Sequence, residues 1–207
     1  MIKFVYFDIG GVAIKDFSST NNWIKLIEEL GLSKSQVDAF DSFWKLEAKN
    51  SSLDFDVEKL LPLISKRFNV KFPPSYSLVK DGFVSRFEKN TSIWPIIEQI
   101  RKKAKIGLLT NMYPNLFRAI KQNGLLPPFE WENIVDSSVV MLQKPDSQIF
   151  QVAEDLAKVR GKEILFVDNT KVNVEAAKEF GWQVFFYDTE DYERSSKNLG
   201  IWIKKNL

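Results

Sequence analysis

Ile2-Lys3-Phe4-Val5-Tyr6-Phe7-Asp8-Ile9-Gly10-Gly11-Val12 is the stretch whose reading decides the fold. Residues 2–7 are apolar at nearly every position, as in a strand buried on both faces of a parallel sheet. The run then stops at Asp8 and enters two glycines, as a tight turn would. Later segments repeat the pattern: residues 105–109 end at Thr110 and Asn111, 164–167 at Asp168, and 184–187 at Asp188. Helical periodicity fills the gaps at 92–103, 114–123, 146–159 and 171–180. Strands alternating with helices predict a doubly wound, mostly parallel, Rossmann-like α/β sheet with any ligand outside the carboxyl ends of the strands. Asp8, Thr110 and Asp168 are expected to converge there.

Between the first two strands, residues 16–91 contain no comparable strand. Amphipathic helical patterns occur instead at 22–30, 34–48, 57–68 and 76–89. This is too much chain for a simple crossover and suits an inserted domain. The expected division is an α/β core at 1–15 and 93–207 with a helical cap at 16–92. Phe17, Trp23, Phe43, Trp44 and Lys45 lie where they could face a site, although aromatic residues at helical spacing also serve as core.

The 29 Lys and Arg are balanced by 27 Asp and Glu and interspersed with them, so no basic arm points to nucleic acid. No apolar run approaches the roughly 20 residues of a membrane span, and the start shows no cleavable signal pattern. A cytoplasmic protein without a membrane partner is expected, as a monomer or weak homodimer. Cysteine and histidine are both absent. Thiolate and histidine metal sites, cysteine nucleophiles and serine-histidine triads are therefore excluded. Carboxylates, amines, hydroxyls and amides remain, and these favour a hard, oxygen-ligated ion such as Mg²⁺.

Each candidate has two readings. Asp8 alone could be a turn former, but Gly10 and Gly11 let the backbone approach a ligand and offer amides to an anion, while the carboxylate could attack phosphorus or hold a metal. Thr110 and Asn111 could bind phosphoryl oxygens, or cap a helix ahead of Pro114. Lys144, before Pro145 and Asp146, could neutralise a nucleophile and a phosphoryl group, or stand in solvent. Asp168 is a second strand-terminal carboxylate, and two such groups side by side call for a cation between them. Asp188 reads as part of a loop or cap.

In this order the elements resemble the haloacid dehalogenase (HAD) superfamily: Phe-Asp8-Ile-Gly-Gly-Val, Leu-Leu-Thr110-Asn111, Lys144-Pro145-Asp146, and Phe-Val-Asp168-Asn169 followed by Asn173-Val-Glu-Ala-Ala177. The resemblance covers nearly the whole chain, helical insert included. It implies a phosphatase acting on small phosphorylated molecules, with Asp8 as nucleophile and Lys144 stabilising charge. Thr110, Asn111 and Gly11 would bind the phosphoryl group, and Asp8, the carbonyl of Gly10 and Asp168 would hold Mg²⁺.

Two departures qualify that implication. Most phosphatases of the superfamily carry a second aspartate two residues after the nucleophile, as general acid and base, where this chain has Gly10. Such groups are worth a factor of about 10² to 10⁴. A branch with glycine there includes sugar-1-phosphate phosphatases, which makes sugar phosphates one expected substrate class. Asn169 replaces a frequent second acidic residue, where it can still orient a metal-bound water or Lys144. The rival readings are a metal-independent 2-haloacid dehalogenase, against which Asp168 argues, and a non-catalytic binding protein of the same fold.

Overall fold

The computed structural model describes residues 1–50 and 53–207. Strand β1 (Phe4–Phe7) runs through the residue 8–11 turn to β2 (Ile14–Lys15), after which the chain turns helical: α1 (Asn22–Glu29), α2 (Val37–Asn50) and α3 (Leu60–Phe68). A π-helical turn (Leu78–Phe83) and a 3₁₀ turn (Val84–Arg86) lead to β3 (Glu88–Lys89). There follow α4 (Trp94–Ile100), β4 (Lys105–Thr110), α5 (Leu116–Gln122), β5 (Asn133–Asp136), α6 (Ser137–Val140), α7 (Ser147–Ala157), β6 (Ile164–Asp168), α8 (Lys171–Glu179), β7 (Gln183–Phe186) and α9 (Tyr192–Asn206).

The main sheet has five strands in the order β5-β4-β1-β6-β7, all paired in parallel. Alternation along β1 sends Phe4 and Tyr6 to one face and Val5 and Phe7 to the other, and all four are fully buried. Residues of α7 and α8 cover the first face, with Phe150, Ala153 and Ala177 packed beside Phe166 and Trp182. Those of α4, α5 and α9 cover the second, through Ile97, Ile100, Ile120, Leu199 and Ile203. The same apolar cluster runs on into the insert through Leu26, Phe40, Leu60 and Ile64.

Strand order reverses between β1 and β6, which makes their carboxyl ends the switch point where doubly wound sheets open a crevice. Phe7 pairs in register with Val167, so the next residues, Asp8 and Asp168, emerge side by side.

Several elements differ from expectation. Strand β5 and helix α9 are additions, and so is the antiparallel ribbon of β2 and β3, which pairs Ile14 with Lys89 and Lys15 with Glu88. The helical stretch between β2 and β3 therefore leaves and returns along one ribbon. Asn90, fully buried just after β3, donates its amide to the Val12 carbonyl (2.7 Å) and the Tyr187 hydroxyl (3.0 Å), tying the return to the first turn. The helix expected at 76–89 is instead the short π-helical and 3₁₀ pair. Its start is held by Glu58, whose carboxylate accepts from the Ser77 hydroxyl and the Leu78 and Val79 amides. Such wide turns recur at functional sites.

Candidate active site

Asp8 follows the last residue of β1. Its Oδ1 accepts the Ile9 amide at 2.7 Å and lies 3.1 Å from Lys144 Nζ. Asp168 ends β6 with no exposure, its Oδ2 accepting from Lys144 Nζ at 2.7 Å. Lys144 also donates to the Leu109 carbonyl (3.0 Å) and stands over the Phe166 ring. A single buried ammonium thus bridges the two carboxylates that the sheet brings together. Burial pushes the Asp8 carboxyl up to about 7, against the pull of Lys144 and with the help of Asp168. Burial alone would lower Lys144, but the two carboxylates hold it above its ordinary value.

Thr110, 1% exposed, ends β4 in the same cavity of about 410 Å³, which Asp8, Gly10, Asn111 and Asn169 also line. The Asn111 side chain is placed differently from the phosphoryl contact the sequence suggests. Its Nδ2 donates to the Lys144 carbonyl (2.8 Å) and its Oδ1 accepts the Lys144 amide (2.9 Å). With both ends of the carboxamide engaged, its role is to clamp the loop that carries Lys144, whose peptide bond to Pro145 is cis. Gly11 has φ +73°, and a Cβ there would meet the Asn169 amide at 2.2 Å, so only glycine fits under that side chain. Asn169 in turn donates to the Ser18 hydroxyl at 3.1 Å.

Four residues that sequence reasoning left without a role complete the site. Asn173, buried on α8, donates to Asp168 (3.2 Å to Oδ2), and the Thr170 amide donates to Oδ1 at 2.6 Å. Asp16 and Ser18 come from the first residues after β2 and line the cavity. A Cβ built on Gly10 would fall 2.4 Å from Asp16 Oδ2. Burial raises the Asp16 carboxyl above the usual range, opposed by the Ser18 amide donating to Oδ1 at 2.8 Å. Asp188 belongs to a loop, where it pairs with Arg194.

The donor set suits a hard cation. Asp8 and the backbone at Gly10 line the cavity and offer oxygen only, Asp168 lies fully buried behind them with its oxygens accepting from Lys144, Thr170 and Asn173, and among the described residues no group of three or more His, Cys, Asp or Glu forms a protein cage. Mg²⁺ is commonly held this way, by one or two carboxylates with water and substrate oxygens completing the shell.

Solved structures share the fold. A HAD family enzyme from Bacteroides thetaiotaomicron, crystallised as wild type with magnesium and inorganic phosphate, superposes with TM-score 0.66 at 19% identity, over 92% of this chain and 96% of that one. A predicted HAD-like family hydrolase from Porphyromonas gingivalis gives 0.69 at 22% identity, over 92% and 93%. L-2-haloacid dehalogenase from Xanthobacter autotrophicus gives 0.64 at 17%, over 89% and 76%. No curated protein matches the sequence at a significant level. Among the described residues no helix is long and apolar enough to cross a membrane. The family model for haloacid dehalogenase-like hydrolases matches residues 2–181, so the chain belongs to that family of enzymes.

Proposed function

We propose that this hydrolase is a Mg²⁺-dependent phosphatase of small phosphomonoesters, with Asp8 as nucleophile. The observation that carries this reading is the Lys144 ammonium held 3.1 Å from Asp8 and 2.7 Å from Asp168, inside a cavity that Thr110 also lines. Mg²⁺, held by Asp8, Asp168 and the Gly10 carbonyl, would supply charge neutralisation for the phosphoryl group. The helical insert acts as a cap that selects substrate and excludes water.

Asp8 attacks phosphorus in line, its carboxylate oxygen bonding as the bond to the leaving oxygen breaks. Lys144 and the Thr110 hydroxyl stabilise the charge spreading over the phosphoryl oxygens. Asp16, whose carboxylate stands where a side chain at residue 10 would project, gives its proton to the leaving oxygen. Water then attacks phosphorus, Asp16 takes the water's proton, and the bond from phosphorus to Asp8 breaks.

Asp168 also weighs against a dehalogenase. With two carboxylates sharing one ammonium, the site without a metal ion keeps an excess of negative charge that would repel a 2-haloacid anion. Phosphate release from a phosphomonoester panel with and without Mg²⁺, set beside chloride release from L-2-chloropropionate, tests both readings. Mg²⁺-dependent phosphate release supports the phosphatase, whereas metal-independent chloride release without any phosphate release would replace it.

A further inference from the structure

A second cavity of about 270 Å³ opens beside the first. Phe17, Trp23, Trp44, Phe83 and Tyr113 wall it, and Asp16, Phe87 and Leu116 line both cavities, so the two are continuous. The rings brace one another. Phe17 lies 5.7 Å from Trp23 and 5.7 Å from Phe83, Trp44 lies 5.7 Å from Phe83, and Phe83 stacks on Tyr113 at 6.2 Å. These contacts hold the walls in shape. Yet Phe17, Trp23, Trp44, Phe87 and Tyr113 stay only partly buried, because their remaining faces look onto open space instead of core.

Few polar atoms line this wall, and its indole groups have partners. Trp23 donates its indole N–H to Asp41, and the Tyr113 hydroxyl is paired with Trp44. Asp16, the carboxyl that lines this wall among the described residues, sits at the seam between the chambers. A sugar would bring several hydroxyls into a chamber with almost nothing to receive them, and each group left unpaired would weaken binding. An aromatic ring would lose water from its faces and gain edge-to-face and stacked contacts. A dry apolar cavity of roughly 150 Å³ takes benzene, so this chamber has room for one substituted ring or two fused ones.

We infer that the aromatic chamber is the leaving-group subsite and that the substrate is a phosphomonoester bearing an aromatic ring, its bridging oxygen at the seam beside Asp16. This inference rests on the phosphatase reading and replaces the sugar phosphates expected from the glycine at residue 10.

The test compares esters whose leaving alcohols have similar acidity, so that chemistry alone cannot create a preference. With Mg²⁺, phosphate release is measured from 2-phenylethyl, n-propyl and glucose 6-phosphates, and from acetyl phosphate. The expected result is a kcat/KM about tenfold or more higher for the phenylethyl ester than for the propyl ester, carried mainly by KM. In Trp44→Leu that ratio falls to about threefold or less. Should this variant fail to fold, competitive inhibition of the wild type by 2-phenylethylphosphonate against propylphosphonate reads the same preference. Equal turnover of the phenylethyl and propyl esters, or a preference for glucose 6-phosphate, would overturn the inference and leave the phosphatase standing. No phosphate from any compound, acetyl phosphate included, would remove the phosphatase reading and the inference with it.

Discussion

The carboxylate of Asp16 fills the space into which a side chain at residue 10 would grow, its Oδ2 only 2.4 Å from where the Cβ would stand. An aspartate at residue 10 and Asp16 in its present place exclude one another. The chain thus holds its cavity-facing acid eight positions after the nucleophile, brought back by the turn into the ribbon. Asp16→Asn is expected to lower kcat on alkyl phosphates by about 10² or more, and to cost much less on aryl phosphates, whose leaving oxygens need little protonation. Plotting rate against leaving-group acidity checks this. Equal losses across the series would assign Asp16 a merely structural role.

Gly10→Ala should reproduce that pattern without touching a titratable group. Residue 10 does not need a positive φ, and the new methyl meets the end of a short side chain, so the fold is expected to survive with a change in stability below about 1 kcal/mol. Alkyl phosphate turnover falls because Asp16 is pushed from the seam. Thermal unfolding and the same kinetic series separate the two effects.

Lys144→Met leaves Asp8 and Asp168 facing each other without their shared ammonium. Breaking a buried ion pair by removing one partner costs about 3–5 kcal/mol, which urea unfolding in a chelator would register. Added Mg²⁺ should narrow the gap between variant and wild type, since the ion supplies part of the lost positive charge. A difference below about 1 kcal/mol in chelator would show that these three groups are not interdependent.

Mg²⁺ with beryllium fluoride mimics a phosphorylated carboxylate, so together they should raise the melting temperature. A ligand at about 100 times its Kd adds about 2.7 kcal/mol, which at about 2–4 °C per kcal/mol for a chain of this size is a readily measured shift. Asp8→Asn should lose both this response and turnover. A wild type that fails to respond would favour a binding protein with a retired site.

Much of this site was legible because buried parallel strands advertise themselves as apolar runs, and their polar stops mark the crevice. Asp8, Thr110 and Asp168 stood out for that reason, and the register that pairs Phe7 with Val167 follows from the same strands. Strand β5 was hidden because Asn-Ile-Val-Asp is short and begins with partly exposed residues. Helix α9 was hidden because small residues, Ser195, Ser196 and Gly200, fill much of its buried side in place of an apolar stripe. Asp16 and Ser18 carry no local signal at all, since their place depends on where the ribbon returns the chain. The chamber aromatics could not be told from core by spacing, because ring-to-ring bracing and an open face are tertiary properties.

The ribbon of β2 and β3 is the route by which the insert is joined at both ends, and Asp16 lies one residue beyond it, on the insert's side. Asp16 thus meets Gly10 where the strap joins the sheet, while the Asn111 clamp ties the Lys144 loop to the end of β4. One strap therefore carries both the vestibule wall that begins at Phe17 and the acid at its mouth, so recognition of a ring and protonation of its oxygen share a single anchor.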